Sequence, residues 1–356
     1  MRKMPSISVL FPVYNTRPYL PCALDSLMAQ TMQDFELIAV DDGSTDGSGE
    51  LLRDYAARFP QMRVFSQKQS GNPTALNTGL QNATGRYLAF VDSDDWVAPN
   101  FLEHLLSTAE KTGADLVQCG YACVYPDRQI LRQSRWACRR TGNGVSLKEC
   151  PQLFFLDNTN CNKLFLHSMV KRYDISFDPE LKMAADLPFF FETLLAAERI
   201  VITDPVLYFY RQNRIGQTTS HANQNCFCVF RAFEDVREFI DRNGFDFIRP
   251  HLLHSKLSLF AYMYEKLVPE LRKEFFRRMN EDFRTCGIRN DDPIPPGPWN
   301  DASLPDKIRW GILRLLHPAA RNAILRNDPS AYNRTIAIRQ FLLSAFQKSA
   351  SLLKFH

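Results

Sequence analysis

No part of this sequence approaches the roughly 18 consecutive apolar residues that a membrane-spanning helix requires. The nearest stretch, Leu257 to Tyr264, is half that length, and an integral membrane protein is not expected. The basic start Met1-Arg2-Lys3-Met4-Pro5 leads into an apolar run, Ile7 to Phe11, that Ser8 interrupts and Pro12 stops, too short for the core of a secretory leader. Glycine and proline, 15 and 21 of 356 residues, are scattered rather than periodic, which excludes collagen-like and low-complexity chains. No internal repeat occurs at solenoid spacing. The nine cysteines lack the paired spacing of a disulfide framework or zinc site. Neither Cys119 with Cys123 nor Cys226 with Cys228 is followed by a His or Cys at ligand spacing, so buried thiols in a reducing cytoplasm are expected.

What is present is ordinary for a folded chain of two domains: 45% hydrophobic and 23% charged residues. The net charge of +4 is unevenly spread. Residues 301–356 carry nine Lys/Arg against three Asp/Glu, a net +6, which leaves −2 for everything before them. Those cations alternate with Leu, Ile and Phe rather than with stacking aromatics, which disfavours nucleic acid. The amphipathic patterns at Ile308–Leu316 and Ile336–Leu353, with Ile338, Leu342, Ala345, Phe346, Ser349 and Leu353 on one stripe, leave two readings for 304–356. One is a peripheral contact with an anionic membrane; the other, favoured because basic residues along a helix are usually its solvated face, is a buried lid or a homodimer interface.

Apolar, β-branched runs recur at Ile7–Phe11, Glu36–Val40, Arg63–Phe65, Tyr87–Val91 and Leu116–Gln118, about 25 to 29 residues apart, with helical patterns between them. Pro18, Asp46, Asn72-Pro73 and Pro99 are suited to open those helices. The alternation predicts a mostly parallel, Rossmann-like sheet of the α/β class with helices on both faces. Beyond about residue 125 the pattern is irregular. A capping box at Ser146 and Glu149 predicts a helix to about Leu156, Ile175–Phe177 reads as extended, Asp186–Ala197 as a helix, and Ile200–Ile202 and Val206–Tyr210 as strands. From Asn223 the chain is predominantly helical, with a Pro-rich break at Asp291–Pro298. The expected division is a catalytic domain over 1–222, a helical extension over 223–290, a linker over 291–303 and a basic tail over 304–356.

In parallel sheets, ligands bind at the carboxyl ends of the strands. Four loops follow predicted strands there: Pro12-Val13-Tyr14-Asn15, Asp41 to Asp46, Ser70-Gly71-Asn72, and Asp92-Ser93-Asp94-Asp95. Carboxylates crowded at strand ends repel one another unless something positive lies among them, and a divalent cation is the economical answer. Three acidic residues in four suit Mg²⁺ or Mn²⁺, which takes one or two carboxylates and completes its shell with phosphate oxygens and water.

Taken together and in order, these segments resemble the family 2 glycosyltransferases, inverting enzymes of the GT-A fold that use nucleotide-diphosphate sugars. The residues carrying the resemblance are Ile7 to Asn15, Phe35 to Gly47, Ala75 to Gly79 with Gly85-Arg86-Tyr87, and Asp92 to Asp95. It is strong over about residues 5–125 and looser to about 221. It implies that Pro12, Tyr14, Asn15, Asp41 and Asp42 meet the nucleotide, with Asn72, Asn77, Ser93 and Arg211 also on the donor side. It further implies that Asp92, Asp94 and Asp95 hold Mn²⁺ or Mg²⁺. A carboxylate only accepts hydrogen bonds and uracil offers an imide N–H, which suits a UDP-sugar, while other bases also offer donors. The family's Glu-Asp pair falls on Ala185-Asp186, which assigns the general base to Asp186 and leaves Ala185 where Glu is usual. Leu76 stands where many members have Arg, and Cys161 where an aromatic is common. Gln217, Thr218 and His221 read equally as a diphosphate flap or a solvated loop. Asp46 reads as a helix cap. The implied acceptor is a glycan or lipid-linked hydroxyl in envelope or extracellular polysaccharide synthesis. The rival from another class is a non-catalytic nucleotide-sugar-binding or scaffold protein, motivated by Ala185 and Leu76.

Overall fold

The computed structural model describes residues 4–127, 129–132, 142–156, 158–213, 224–286, 316 and 318–352. The chain divides into two compact units, one of Met1–Cys150 with Asp157–Ser220, the other of Pro151–Leu156 with His221–His356. The expected linker 291–303, the flap residues Gln217, Thr218 and His221, and most of Ile308–Leu316 lie outside the described residues.

The first unit runs β1 (Ile7–Val13), α1 (Leu20–Met28), β2 (Phe35–Asp41), α2 (Ser48–Arg58), β3 (Met62–Ser66), α3 (Asn72–Asn82), β4 (Tyr87–Phe90), β5 (Trp96–Val97) and α4 (Phe101–Thr112). It continues with β6 (Leu116–Val124), β7 (Gln129–Arg132), β8 (Lys163–Leu166), α5 (His167–Arg172), α6 (Asp186–Ala196) and β9 (Ile200–Arg211). The strands form one sheet in the order β3-β2-β1-β4-β8-β6-β9-β5, with β7 beside β6. The first four are parallel, as the strand-helix alternation predicts. The other half is mixed, because β8 enters antiparallel between β4 and β6. β1 and β2 are buried along their whole length, which is why they read as unbroken apolar runs. Pro12 lies inside β1 rather than after it. Its missing N–H is tolerated there because pairing with β4 ends at Leu10↔Phe90.

Two expected strands are one. β9 runs through Asp204-Pro205, and the register against β6 shifts between Gln118 and Tyr121 to absorb the proline. The capping box forms as expected, with Ser146 Oγ and N each donating to Glu149 Oε2 at 2.9 and 2.7 Å. It opens onto a single 3-10 turn, Pro151–Phe155, rather than the expected helix. The N-cap of α2 is Gly47 rather than the expected Asp46, whose Oδ1 accepts from the N–H of Ser48 at 2.9 Å in an Asx-type turn just before the helix.

An aromatic cluster fixes the start of α6. Phe189 stacks on Phe177 at 4.3 Å and meets Phe90 and Phe165 edge-on at 5.2 and 5.6 Å. Phe189 is fully buried, so Phe189→Ala is expected to cost about 3–5 kcal/mol. A fall in the urea midpoint at unchanged slope would show it; an unchanged midpoint would contradict this packing.

Glu36 ties β1, β2 and the turn before β4. Its carboxylate accepts from Ser8 Oγ at 2.6 Å, from Thr84 N and Oγ1 at 2.8 Å, and from Arg63 at 3.0 Å. Burial alone would raise its pKa, but the bonds from Ser8, Thr84 and Arg63 outweigh burial and hold it below the ordinary value. A carboxyl depressed in the folded state stabilises fully above its unfolded pKa of about 4.3, and that stability is lost as pH falls through the lower folded value. Glu36→Gln is expected to cost about 1–3 kcal/mol at pH 7 and to flatten the loss of stability below about pH 4. Urea titrations between pH 2.5 and 7 test both.

The second unit contains α7 (Cys228–Asn243), α8 (Arg249–Lys266), α9 (Pro269–Thr285) and a final helix, Pro329–Leu352. The buried face of that last helix differs in phase from the expected stripe. Ile338 is 50% exposed, whereas Tyr332, Thr335 and Ile336 are buried. Tyr332 packs edge-on against Tyr264 at 5.1 Å, Tyr264 Oη donates to Asn333 at 2.8 Å, and Arg339 pairs with Glu265 at 2.6 Å. Of the expected stripe, the side chains of Leu342, Ala345, Phe346, Ser349 and Leu353 lie outside the described residues. Among the described residues no helix is long and apolar enough to cross a membrane.

Candidate functional site

The loop after β2 is built on two aspartates with different tasks. Asp41 Oδ1 accepts from Ser44 N at 3.0 Å. A Cβ at Gly49 would lie 2.4 Å from Asp41 Oδ2, so only glycine lets α2 approach this carboxylate. Asp42 accepts three bonds, from Gln67 Nε2 and the backbone N–H of Ser70 and Gly71, all at 2.8 Å. It thereby sets the β3–α3 loop against β2, and of the roughly four acceptor positions of a carboxylate one remains. Gly43 carries φ 75 in this turn, and a Cβ there would stand 2.8 Å from Gln69 N.

The loop after β1 locks onto the same turn. Asn15, at φ 49, accepts from Thr45 N at 2.8 Å, and its own N–H donates to Ser44 Oγ at 3.1 Å. Tyr14 is exposed beside it, and Asn72 is exposed at the start of α3. Two residues expected on the donor side make scaffold contacts. Asn77 clamps the backbone of Phe177 at both ends, Nδ2 to O at 2.7 Å and Oδ1 from N at 2.9 Å. Ser93 is buried and accepts from Thr16 Oγ1 at 2.9 Å, joining the β1 loop to the acidic motif.

Within that motif the carboxylates separate. Asp95 is 1% exposed, with Oδ2 accepting from Tyr208 Oη at 2.7 Å and Oδ1 from Arg211 N at 2.8 Å. Burial, then Asp94 and Asp92, push its carboxyl well above the usual range. Asp95 thereby anchors β9 to the motif, and with one protein donor on each oxygen it is less free than Asp92 or Asp94 to meet a cation. Asp92 is half-buried, with Oδ2 accepting the Cys161 thiol at 3.3 Å, and Asp94 is buried. Arg211 meets the motif through the motif's backbone. Its Nε donates to Asp94 O at 2.8 Å while the guanidinium lies over Trp96 at 4.7 Å and Tyr19 at 5.2 Å. Among the described residues no three His, Cys, Asp or Glu side chains form a ready metal cluster. Two carboxylates at a strand end still fit a hard cation that shares phosphate oxygens, so Asp92 and Asp94 are the pair to hold one.

Asp186, the first residue of α6, accepts from Asn160 Nδ2 at 3.2 Å. Burial raises its pKa to about 6, against the pull of Lys163 and the Asn160 bond. Lys163 is fully buried; its Nζ donates to Thr159 O and Asn162 Oδ1 and lies 4.7 Å from the Phe190 ring. Ala184, just before α6, holds φ 60, a conformation costly for an L-residue that adds rigidity to this corner. Asn160 and Cys161 are adjacent, one holding Asp186 and the other Asp92, so a single turn of chain joins the acidic motif to the candidate base. Thr16, Asn160, Lys163 and Tyr208 are absent from the set expected on sequence. Tyr208 lies 113 residues from Asp95, and no local pattern signals that contact.

A curled mixed sheet with three strand-end loops meeting an acidic motif defines a GT-A nucleotide-sugar transferase fold. Residues 8–174, a little under half of the chain, match the family model for Glycosyl transferase family 2, and this segment is a glycosyltransferase domain of that family. The uncharacterized glycosyltransferase EpsJ of Bacillus subtilis (strain 168) is 34% identical over 215 residues, 59% of this chain and 62% of that protein. The poly(ribitol-phosphate) beta-glucosyltransferase of Bacillus spizizenii (strain ATCC 23059 / NRRL B-14472 / W23) is 31% identical over 234 residues, 65% of this chain and 36% of that protein. The chain thus spans less than two thirds of the length of either relative. Among solved structures, S. aureus TarS 1–349 in complex with UDP-GlcNAc superposes with a TM-score of 0.70 at 17% identity, covering 96% of this chain and 92% of that one. At that identity the likeness concerns the fold.

Proposed function

We propose that this protein is an inverting glycosyltransferase that moves a sugar from a UDP-sugar to a hydroxyl of a glycan or lipid-linked acceptor during envelope or extracellular polysaccharide synthesis. The observation that carries this reading is Asp186: a carboxylate raised to about 6, which is ionised yet basic near neutral pH and held by Asn160 one residue from the Cys161–Asp92 contact. Asp186 takes the proton of the acceptor hydroxyl, whose oxygen displaces the nucleotide at the anomeric carbon with inversion. The remaining acceptor lobe of Asp42 suits the imide N–H of uracil, with Tyr14, Asn15, Asp41, Asn72 and the edge of Pro12 bordering the nucleotide. Arg211 faces the diphosphate. Asp92 and Asp94 would hold Mn²⁺ or Mg²⁺, which when bound offsets the charge on the departing diphosphate.

The UDP-GlcNAc complex of TarS and the poly(ribitol-phosphate) beta-glucosyltransferase of B. spizizenii support a nucleotide-sugar donor and a polymeric hydroxyl acceptor. A cytoplasmic site of action is part of this proposal, in keeping with cysteines that lack the paired spacing of a disulfide framework. A screen of UDP-, GDP-, CMP- and dTDP-sugars reading released nucleotide tests the proposal. UDP release stimulated by an acceptor is expected; UDP-sugar binding without turnover across a broad acceptor panel would favour the scaffold alternative.

A further inference from the structure

Asn160 stands out among the buried polar groups near this site. It is 2% exposed, its Nδ2 donates to Asp186, and its Oδ1 is buried with no hydrogen-bond partner among the described residues. Leaving a buried amide oxygen unsatisfied is unfavourable, so its retention beside a functional group calls for a donor. Which end faces Asp186 follows from charge: an ionised carboxylate only accepts, so Nδ2 must point to it and Oδ1 must point elsewhere. The two ends of one planar amide are a little over 2 Å apart, so whatever donates to Oδ1 lies within a few ångströms of the Asp186 carboxylate. Two neighbouring protein donors are engaged elsewhere. Lys163 Nζ serves Thr159 O and Asn162 Oδ1, and the Cys161 thiol serves Asp92. Ala185, the neighbour of Asp186, offers no polar side chain.

We propose that Asn160 orients both sides of the proton transfer: Nδ2 fixes the Asp186 carboxylate, and Oδ1 accepts a hydrogen bond from a sugar hydroxyl beside the reacting centre. The hydroxyl belongs to the donor sugar or to the acceptor, and the experiment separates the two. This inference rests on the assignment of Asp186 as the base. The charged and titratable groups about Asp186 are Lys163 on β8, which favours its ionised form, and Cys161, whose thiol burial and the aspartates keep protonated, with Asp92 beyond it. An added carboxylate at position 160 would face Asp186 directly and oppose its ionisation.

The test uses the full chain with UDP and UDP-GlcNAc in calorimetry, UDP release with methyl β-D-glucopyranoside as acceptor, and carboxyl-carbon NMR titration of Asp186. Asn160→Ala is expected to leave UDP affinity unchanged. It should weaken UDP-GlcNAc binding by roughly 3- to 10-fold if the hydroxyl is the donor's, or raise the glucoside KM by that factor if it is the acceptor's. Asn160→Asp, which has the same shape and keeps the acceptor oxygen, should leave both sugar constants near wild type while the Asp186 titration moves up by about one unit or more. Sugar constants untouched in Asn160→Ala, or UDP affinity falling in step with them, would overturn the sugar contact. An Asp186 titration unmoved in Asn160→Asp would overturn the positioning role. Wild-type turnover in Asp186→Asn would reject the base assignment instead, and the calorimetric and NMR readouts on Asn160 do not depend on that result.

Discussion

Asp186→Asn is expected to lower sugar transfer by about 10²–10⁴-fold while UDP-sugar affinity stays within a few-fold of wild type. The amide keeps the shape of the side chain but cannot take the acceptor proton. Wild-type activity should rise with pH through about 6 and level off above it, since a base must be ionised to act and burial holds this carboxyl near that value. The slow residual activity of the amide variant should show no such rise. Calorimetry with UDP-GlcNAc and initial rates from pH 5 to 8 read both effects; turnover like that of wild type, or binding lost in proportion to rate, would reject the assignment.

The second large effect concerns the acidic motif. Asp94→Asn, or chelation by EDTA with Mn²⁺ or Mg²⁺ restoring activity, is expected to reduce transfer by about 10²–10³-fold, the rate equivalent of several kcal/mol of charge stabilisation. Calorimetry should show Mn²⁺ strengthening UDP binding in wild type and not in Asp94→Asn. Asp95→Asn should behave differently, because Asp95 holds Tyr208 and Arg211: it should lower the urea midpoint and leave the Mn²⁺ effect on UDP binding in place. Full activity after exhaustive chelation would remove the metal from the mechanism, and an Asp95→Asn variant blind to Mn²⁺ would return Asp95 to the ligand set.

Much of the parallel half of the sheet is readable in the sequence. β1, β2 and β4 are buried on both faces, so their apolar runs are dense and end in the polar residues that build the crevice. The other half is not, for local reasons. β5 is two residues long, β8 is four residues that open on a buried lysine, and Pro205 breaks the apolar pattern of β9 without breaking the strand. Pairing partners far apart in the chain supply what propensity does not. The same holds at the site. Asp42, Asp92, Asp94 and Asp186 announce themselves by residue type and by position at element ends. The distinction between Asp94 and Asp95 depends on a tyrosine 113 residues on, and the role of Asn160 on a helix start 26 residues away. Asn77 and Ser93 show the converse: polar residues at the right strand ends whose hydrogen bonds are spent on the scaffold.

The proposed displacement is tested most squarely by the anomeric configuration of the product formed from a UDP-α-sugar, read from the one-bond and three-bond couplings of the anomeric proton by NMR. A single displacement by a hydroxyl that Asp186 deprotonates yields a β-linked product. An α-linked product would mean retention, which a direct displacement with Asp186 as base cannot give.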